Sequence, residues 1–183
     1  MTSRHVRGRL AGAAAVAAAI GALAGCAVAP TDGAREYLDE QTAATVTVGA
    51  PTLVFARERP ELAVHARDYL TLVPIDVNRA GSHAQYFYAY IWSTIDKRGT
   101  DDVATLARFE LLADGRRIPL TPVPGRPRDI GIGTPPVPAP ARSAQLLLSS
   151  TTREAQEFVA AADDVMAVAV LDGVAEPFPL WRK

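Results

Sequence analysis

Apolar and polar residues alternate with a period of two over most of the chain from residue 44 onward, and turn-forming residues separate the alternating segments. The pattern predicts strands at 44–48, 52–58, 69–77, 85–95, 108–113, 116–121, 143–149 and 165–171. A last strand over Pro177–Trp181 carries two prolines, which confines it to a sheet edge because proline cannot donate to the ladder. Asp114-Gly115 between two of these segments is a type I′ hairpin signal, since both residues tolerate positive φ. Asn78-Arg79-Ala80-Gly81-Ser82 reads as a second hairpin loop.

The period changes to a helical one once. Thr151 and Glu154 have the capping-box spacing, with Thr151 as the cap, and good helix formers follow to about residue 162. Pro60–Ala66 offers a weaker helical turn with proline at its first position. Residues 119–140 hold eight prolines, so this stretch is neither a central strand nor a helix interior. It predicts a long extended Pro-rich loop over 122–142. The expected fold is mainly β: an immunoglobulin-like β-sandwich of seven to nine short strands with one short helix near 153–162. The expected domain spans 36–183.

The N-terminus has a different pattern. Arg4, Arg7 and Arg9 precede fourteen uncharged, mostly apolar positions at 10–23. That is the order of a secretory leader. As a helix the apolar run would span about 21 Å, short of a ~30 Å hydrocarbon core, which disfavours a membrane-spanning anchor. Leu23-Ala24-Gly25-Cys26 follows at once and resembles the lipobox of bacterial lipoproteins. The resemblance covers the first 26 residues only. It implies cleavage after residue 25, a lipid thioether on Cys26 and commonly a further acyl chain, such as palmitate, on the new amino group. Residue 27 is alanine and not aspartate. In lipoproteins of Gram-negative cells this implies the periplasmic face of the outer membrane. Residues 26–35 then read as the lipidated cysteine and a tether.

Composition narrows the partners. The net charge is −1, and removing the leader's three arginines leaves sixteen basic against twenty acidic residues, a net −4. Such a chain has no electrostatic reason to seek nucleic acid or an anionic headgroup, so the expected membrane partner acts through the lipid on Cys26. A single cysteine excludes an internal disulfide and a CxxC motif, and no metal or cofactor spacing occurs. Gly131-Ile132-Gly133 lacks the third glycine and the following helix of a dinucleotide fingerprint.

Two constellations could carry function. On the strand at 85–95, Tyr86, Tyr88, Tyr90 and Trp92 share one face. Open, such a row is a stacking platform for a glycan or another envelope protein; covered, it is core. The second is the Pro-rich loop, whose run Pro135–Pro140 favours polyproline II, a conformer that recognition grooves use, or else is a spacer from one sheet to the other. His65 lies near Asp68, with Ser82, Ser93 and Ser149 elsewhere, but no GxSxG or HExxH signature accompanies them. The acid pairs Asp101-Asp102 and Asp163-Asp164 lack the alternating oxygens of a calcium loop. The sequence therefore favours a lipid-anchored envelope protein of non-enzymatic binding type, with no catalytic or metal-binding residues. An envelope hydrolase using His65 and a structural subunit of an envelope assembly are the alternatives.

Overall fold

The computed structural model describes residues 33–95 and 106–183, and the side chains of 106–107 are not among those described. The leader, Cys26 and Asp101-Asp102 lie outside the described residues.

The described chain is mainly β. Its elements are β1 (Arg35–Asp39), β2 (Ala44–Val48), β3 (Leu53–Glu58), β4 (Arg67–Arg79), β5 (Ser82–Ser93), β6 (Leu106–Ala113), β7 (Arg116–Ile118), β8 (Thr121–Pro122), β9 (Gln145–Thr151), α1 (Arg153–Ala161), β10 (Val165–Leu171) and β11 (Val174–Arg182). All pairings are antiparallel, in the order β7-β6-β10-β11-β3-β4-β5-β9-β8, with β1 on β2 and β2 on β4. This one curled sheet folds back on itself as a sandwich. β11 makes the corner: residues 174–179 pair with β10 and residues 180–182 with β3. Pro177 and Pro179 sit in the half of β11 that pairs on one side only, where a missing N–H breaks no ladder. The strand is an edge there and a joint beyond.

β4 is the spine. Its first half pairs with β3 and its second half with β2, so β2 and β3 lie end to end along one side of it. Pro74 falls at the break between them. Its carbonyl accepts the N–H of Gly49, so a donor on Pro74 would point to that same side, where no continuous strand needs one. The β4–β5 hairpin closes through Ala80-Gly81, both at positive φ, and the Asn78 side chain accepts the Gly81 N–H. The expected five-residue loop is therefore a two-residue turn inside a longer hairpin. Asp114-Gly115 has positive φ at both positions, as the type I′ signal requires, and Asp172-Gly173 repeats it.

Two apolar clusters lie on opposite faces of β4–β5. One gathers Leu70, Leu72, Phe87 and Ala89 with Phe55, Leu111, Ala167, Phe178 and the buried side of α1. This is the core between the two leaves. The other gathers Val73, Ile75, Val77, Tyr88 and Tyr90 with Val46 and Ile132 on the far face. A strand buried on both faces explains why residues 86–92 are apolar or aromatic at every position.

Two local expectations shift. The cap of α1 is Thr152, whose hydroxyl accepts the Ala155 N–H, while Thr151 closes β9 and bonds the Pro119 carbonyl. Pro60–Ala66 forms no helix; it is a hairpin loop closed by the Arg59 N–H on the Ala66 carbonyl. No helix among the described residues is long and apolar enough to cross a membrane.

Candidate functional site

The row Tyr86, Tyr88, Tyr90 and Trp92 does share one face, and most of that face is closed. Tyr88 is 1% exposed and Tyr90 6%, while Tyr86 and Trp92 are half-buried against the same cluster. Of the two readings of the row, open platform or core, its middle takes the second. The Tyr88 and Tyr90 hydroxyls meet at 3.2 Å with the rings edge to face. Burial, with the Tyr90 hydroxyl beside it, pushes the Tyr88 phenol far above its ordinary value.

The cover is the Pro-rich segment. Ile132, Val123, Ile130 and Val137 pack on the tyrosines and valines beneath. β1 fastens it through three side chains of one face. Arg35 donates to the Pro136 carbonyl, Tyr37 to the Thr134 carbonyl at 2.9 Å, and the Asp39 carboxylate accepts the Thr134 N–H at 2.6 Å. Asp39 is 1% exposed. Burial alone would raise its pKa, but hydrogen bonds from the Thr134, Gln41 and Gly133 backbone and the Thr42 hydroxyl outweigh it and hold the carboxyl below its ordinary range.

The two glycines flanking Ile132 are there for close approach. A Cβ on Gly131 would lie 2.8 Å from Val77 Cγ1, and one on Gly133 would lie 2.7 Å from Gln41 Cβ. They let Ile132 drop into the cluster like a plug.

The other half of the same face carries a different aromatic group. Cross-strand register places Glu58 beside Arg67, Ala56 beside Tyr69, and Tyr69 beside Trp92. The Tyr69 and Trp92 rings stack at 4.5 Å and 18°, and Trp92 donates to the Thr71 hydroxyl at 3.4 Å. The Arg67 guanidinium lies 4.6 Å over the Trp181 ring, which β11 brings alongside, and pairs with Glu58 at 3.0 Å. Trp181 is 56% exposed. A ledge of Trp181, Arg67, Tyr69 and Trp92 therefore crosses four strands, β11, β3, β4 and β5, and stays partly open. Sequence reasoning found only Trp92 of these four. Tyr69 opens the strand expected at 69–77 and Arg67 lies before it, in the two residues by which β4 is longer, and their joining to Trp181 depends on which strand lies next to β3.

His65 does not assemble a catalytic group. It is exposed at φ 74°, and none of Ser82, Ser93 and Ser149 shares a hydrogen bond with it. Asp68 is engaged elsewhere: Arg57 and Arg59 reach one of its oxygens at 3.0 and 2.5 Å. Burial opposes ionisation there, but those two cations and Ser93 prevail and lower its pKa. Arg57 also bridges to Glu176 at 2.6 Å and lies over the Phe178 ring. The cluster ties β3, β4 and β11 together. Asp163 and Asp164 serve through their backbone: both N–H groups donate to the Asp114 carboxylate. No group of three or more metal-ligating side chains occurs among the described residues.

No family model, no curated protein and no solved structure matches the chain.

Proposed function

We propose that the protein is a lipid-anchored component of the bacterial cell envelope that works by binding, and that its contact surface is the aromatic ledge. The observation that carries this is the exposed Trp181 ring beside the stacked Tyr69–Trp92 pair, with Arg67 and Glu58 at its margin. Flat rings with polar groups at their edges suit a sugar ring, whose C–H face stacks while its hydroxyls reach the charged rim. The leader and Leu23-Ala24-Gly25-Cys26 support the anchored half of the reading. Two acyl chains hold a protein on a bilayer stably where one does not.

The test is a titration of envelope oligosaccharides against the acylated protein in detergent, followed by calorimetry so that the readout needs no tryptophan. A saturable heat that Trp181→Ala abolishes, with an unchanged melting temperature, is the expected result. Binding that survives Trp181→Ala, or no heat with any envelope glycan, removes the ledge as the site. Cys26→Ser tests the anchor separately: it should release the protein from the membrane fraction.

A further inference from the structure

The end of β11 departs from the alternation of an ordinary strand. Leu180 opposes Phe55 and Arg182 opposes Val54, so β11 uses two residues where β3 uses one. An extra residue of this kind re-aims the side chains beside it. Leu180 packs on the core between the two leaves. Lys183 turns to that same side, where its Nζ donates to the carbonyl of Ala162 at the end of α1 at 2.6 Å. Trp181 and Arg182 lie between these two inward anchors, and both face out. Trp181 meets the Arg67 guanidinium. Arg182 stands opposite Val54, which opposes Thr71 in turn, and the Thr71 hydroxyl accepts the Trp92 N–H. Strict alternation would turn one of the two inward. The bulge instead sets a ring and a cation side by side on the ledge.

The two arginines of the ledge differ in what they have left to bind. Arg67 pairs with Glu58 at 3.0 Å and lies over Trp181. Arg182 is exposed, and its guanidinium makes no hydrogen bond or ion pair with another described residue. Glu58 sits at the other end of the ledge: four residues of β3 separate it from Val54, about 13 Å at the ordinary strand rise. Across that distance in physiological salt the acid does little to neutralise Arg182. A free guanidinium gains most from a carboxylate or phosphate, which two parallel N–H groups grip together. The net charge of the chain is −1, so no overall field gathers anions, and an anion held here is held by the local site.

We infer that the ledge takes an acidic sugar and that Arg182 selects it: the ring stacks on Trp181 while the carboxylate or phosphate it carries lies on the Arg182 guanidinium. This rests on the reading of the ledge as a glycan site, and it narrows that reading to sugars whose acid lies within reach of the stacked ring. A neutral sugar stacks as well but leaves Arg182 to water.

The probes are N-acetylglucosamine, N-acetylmuramic acid and N-acetylglucosamine 6-phosphate, which share one ring and carry no acid, a carboxylate and a phosphate. Each is titrated into the full acylated protein in detergent, with Kd read by ligand-observed NMR. At least one acid should bind about tenfold or more tightly than the neutral sugar, and which acid gains names the group the site reads. Arg182→Gln, at an unchanged melting temperature, should bring that acid to the level of the neutral sugar, Arg182→Lys should keep part of the gain, and Trp181→Ala should abolish binding of all three. In the unaltered protein the gain should shrink as sodium chloride is added, a measurement that needs no variant. Equal affinity for the three probes, a gain that survives Arg182→Gln, or a gain that salt does not touch overturns the inference and leaves the ledge as a glycan site. Binding of none of the three, or binding that survives Trp181→Ala, overturns the ledge and the inference together.

Discussion

The Asp39 carboxylate and the Thr134 N–H, ninety-five residues apart, meet at 2.6 Å beneath the protein surface. Around this bond the Pro-rich segment becomes a packed layer instead of a loose connection. A buried carboxylate needs its lone pairs filled, and the segment's free N–H groups need acceptors. Asp39→Ala removes the acceptor and leaves several buried donors unpaired. We expect a loss of about 2–4 kcal/mol in urea unfolding, with Asp39→Asn losing less because one oxygen remains. Trypsin should then cut the folded variant after Arg128 faster than the wild type.

The same carboxylate sets an acid limit. The pKa values of Asp39 and Asp68 are both held below the ordinary value by their hydrogen bonds and, for Asp68, by Arg59 and Arg57. A carboxyl depressed in the folded state contributes stability in full above its unfolded pKa of about 3.9 and loses it as pH falls through the folded value. Unfolding free energy should therefore hold level down to about pH 4 and drop below it. Asp39→Asn and Asp68→Asn should each flatten that drop. A drop of unchanged slope in both variants would place the acid sensitivity elsewhere.

The glycines of the segment give a third outcome. Gly131→Ala forces a methyl against Val77 and Gly133→Ala forces one against Gln41. Overpacking of this kind costs about 1–3 kcal/mol, and Gly131 adds a left-handed φ of 98°. Gly173→Ala meets no atom within 4 Å and has only its φ of 83° to lose, so it is the control. Equal losses at 133 and 173 would mean that the segment shifts freely over the sheet.

The buried phenols predict non-additivity. Tyr88→Phe leaves the Tyr90 hydroxyl in an apolar cluster without its partner, and the reverse holds for Tyr90→Phe. Each single variant should lose about 1–2 kcal/mol, while the double variant should lose little more than either, because no orphan remains. Additive single losses in chemical denaturation would show that the hydroxyls do not depend on each other.

Local chemistry in the sequence carried much of this fold. Alternation located β2 and β10 to the residue, and Asp-Gly located its turn. The pattern could not announce β1: Arg35–Asp39 shows no apolar alternation, because its one buried residue is an aspartate. The aromatic row had two readings from sequence, since same-face placement does not say what covers a face. The cover, the plug at Ile132 and the joining of Trp181 to Arg67 are all contacts between residues far apart in the chain, and periodicity carries no information on those.

The ledge itself has an optical signature, because the chain has two tryptophans in unlike surroundings. Trp92 is half-buried against Tyr69, and Trp181 is 56% exposed beneath Arg67. Trp181→Phe leaves Trp92, whose emission should be blue-shifted and only weakly quenched by acrylamide. Trp92→Phe leaves Trp181, which should emit further to the red and be quenched several-fold more strongly. Arg67→Ala in the second background should raise the quenching again, because the guanidinium no longer shields one ring face. If Trp181 proved as shielded as Trp92, the ledge would be closed like the tyrosine row beside it, and a sugar ring would have nowhere to stack.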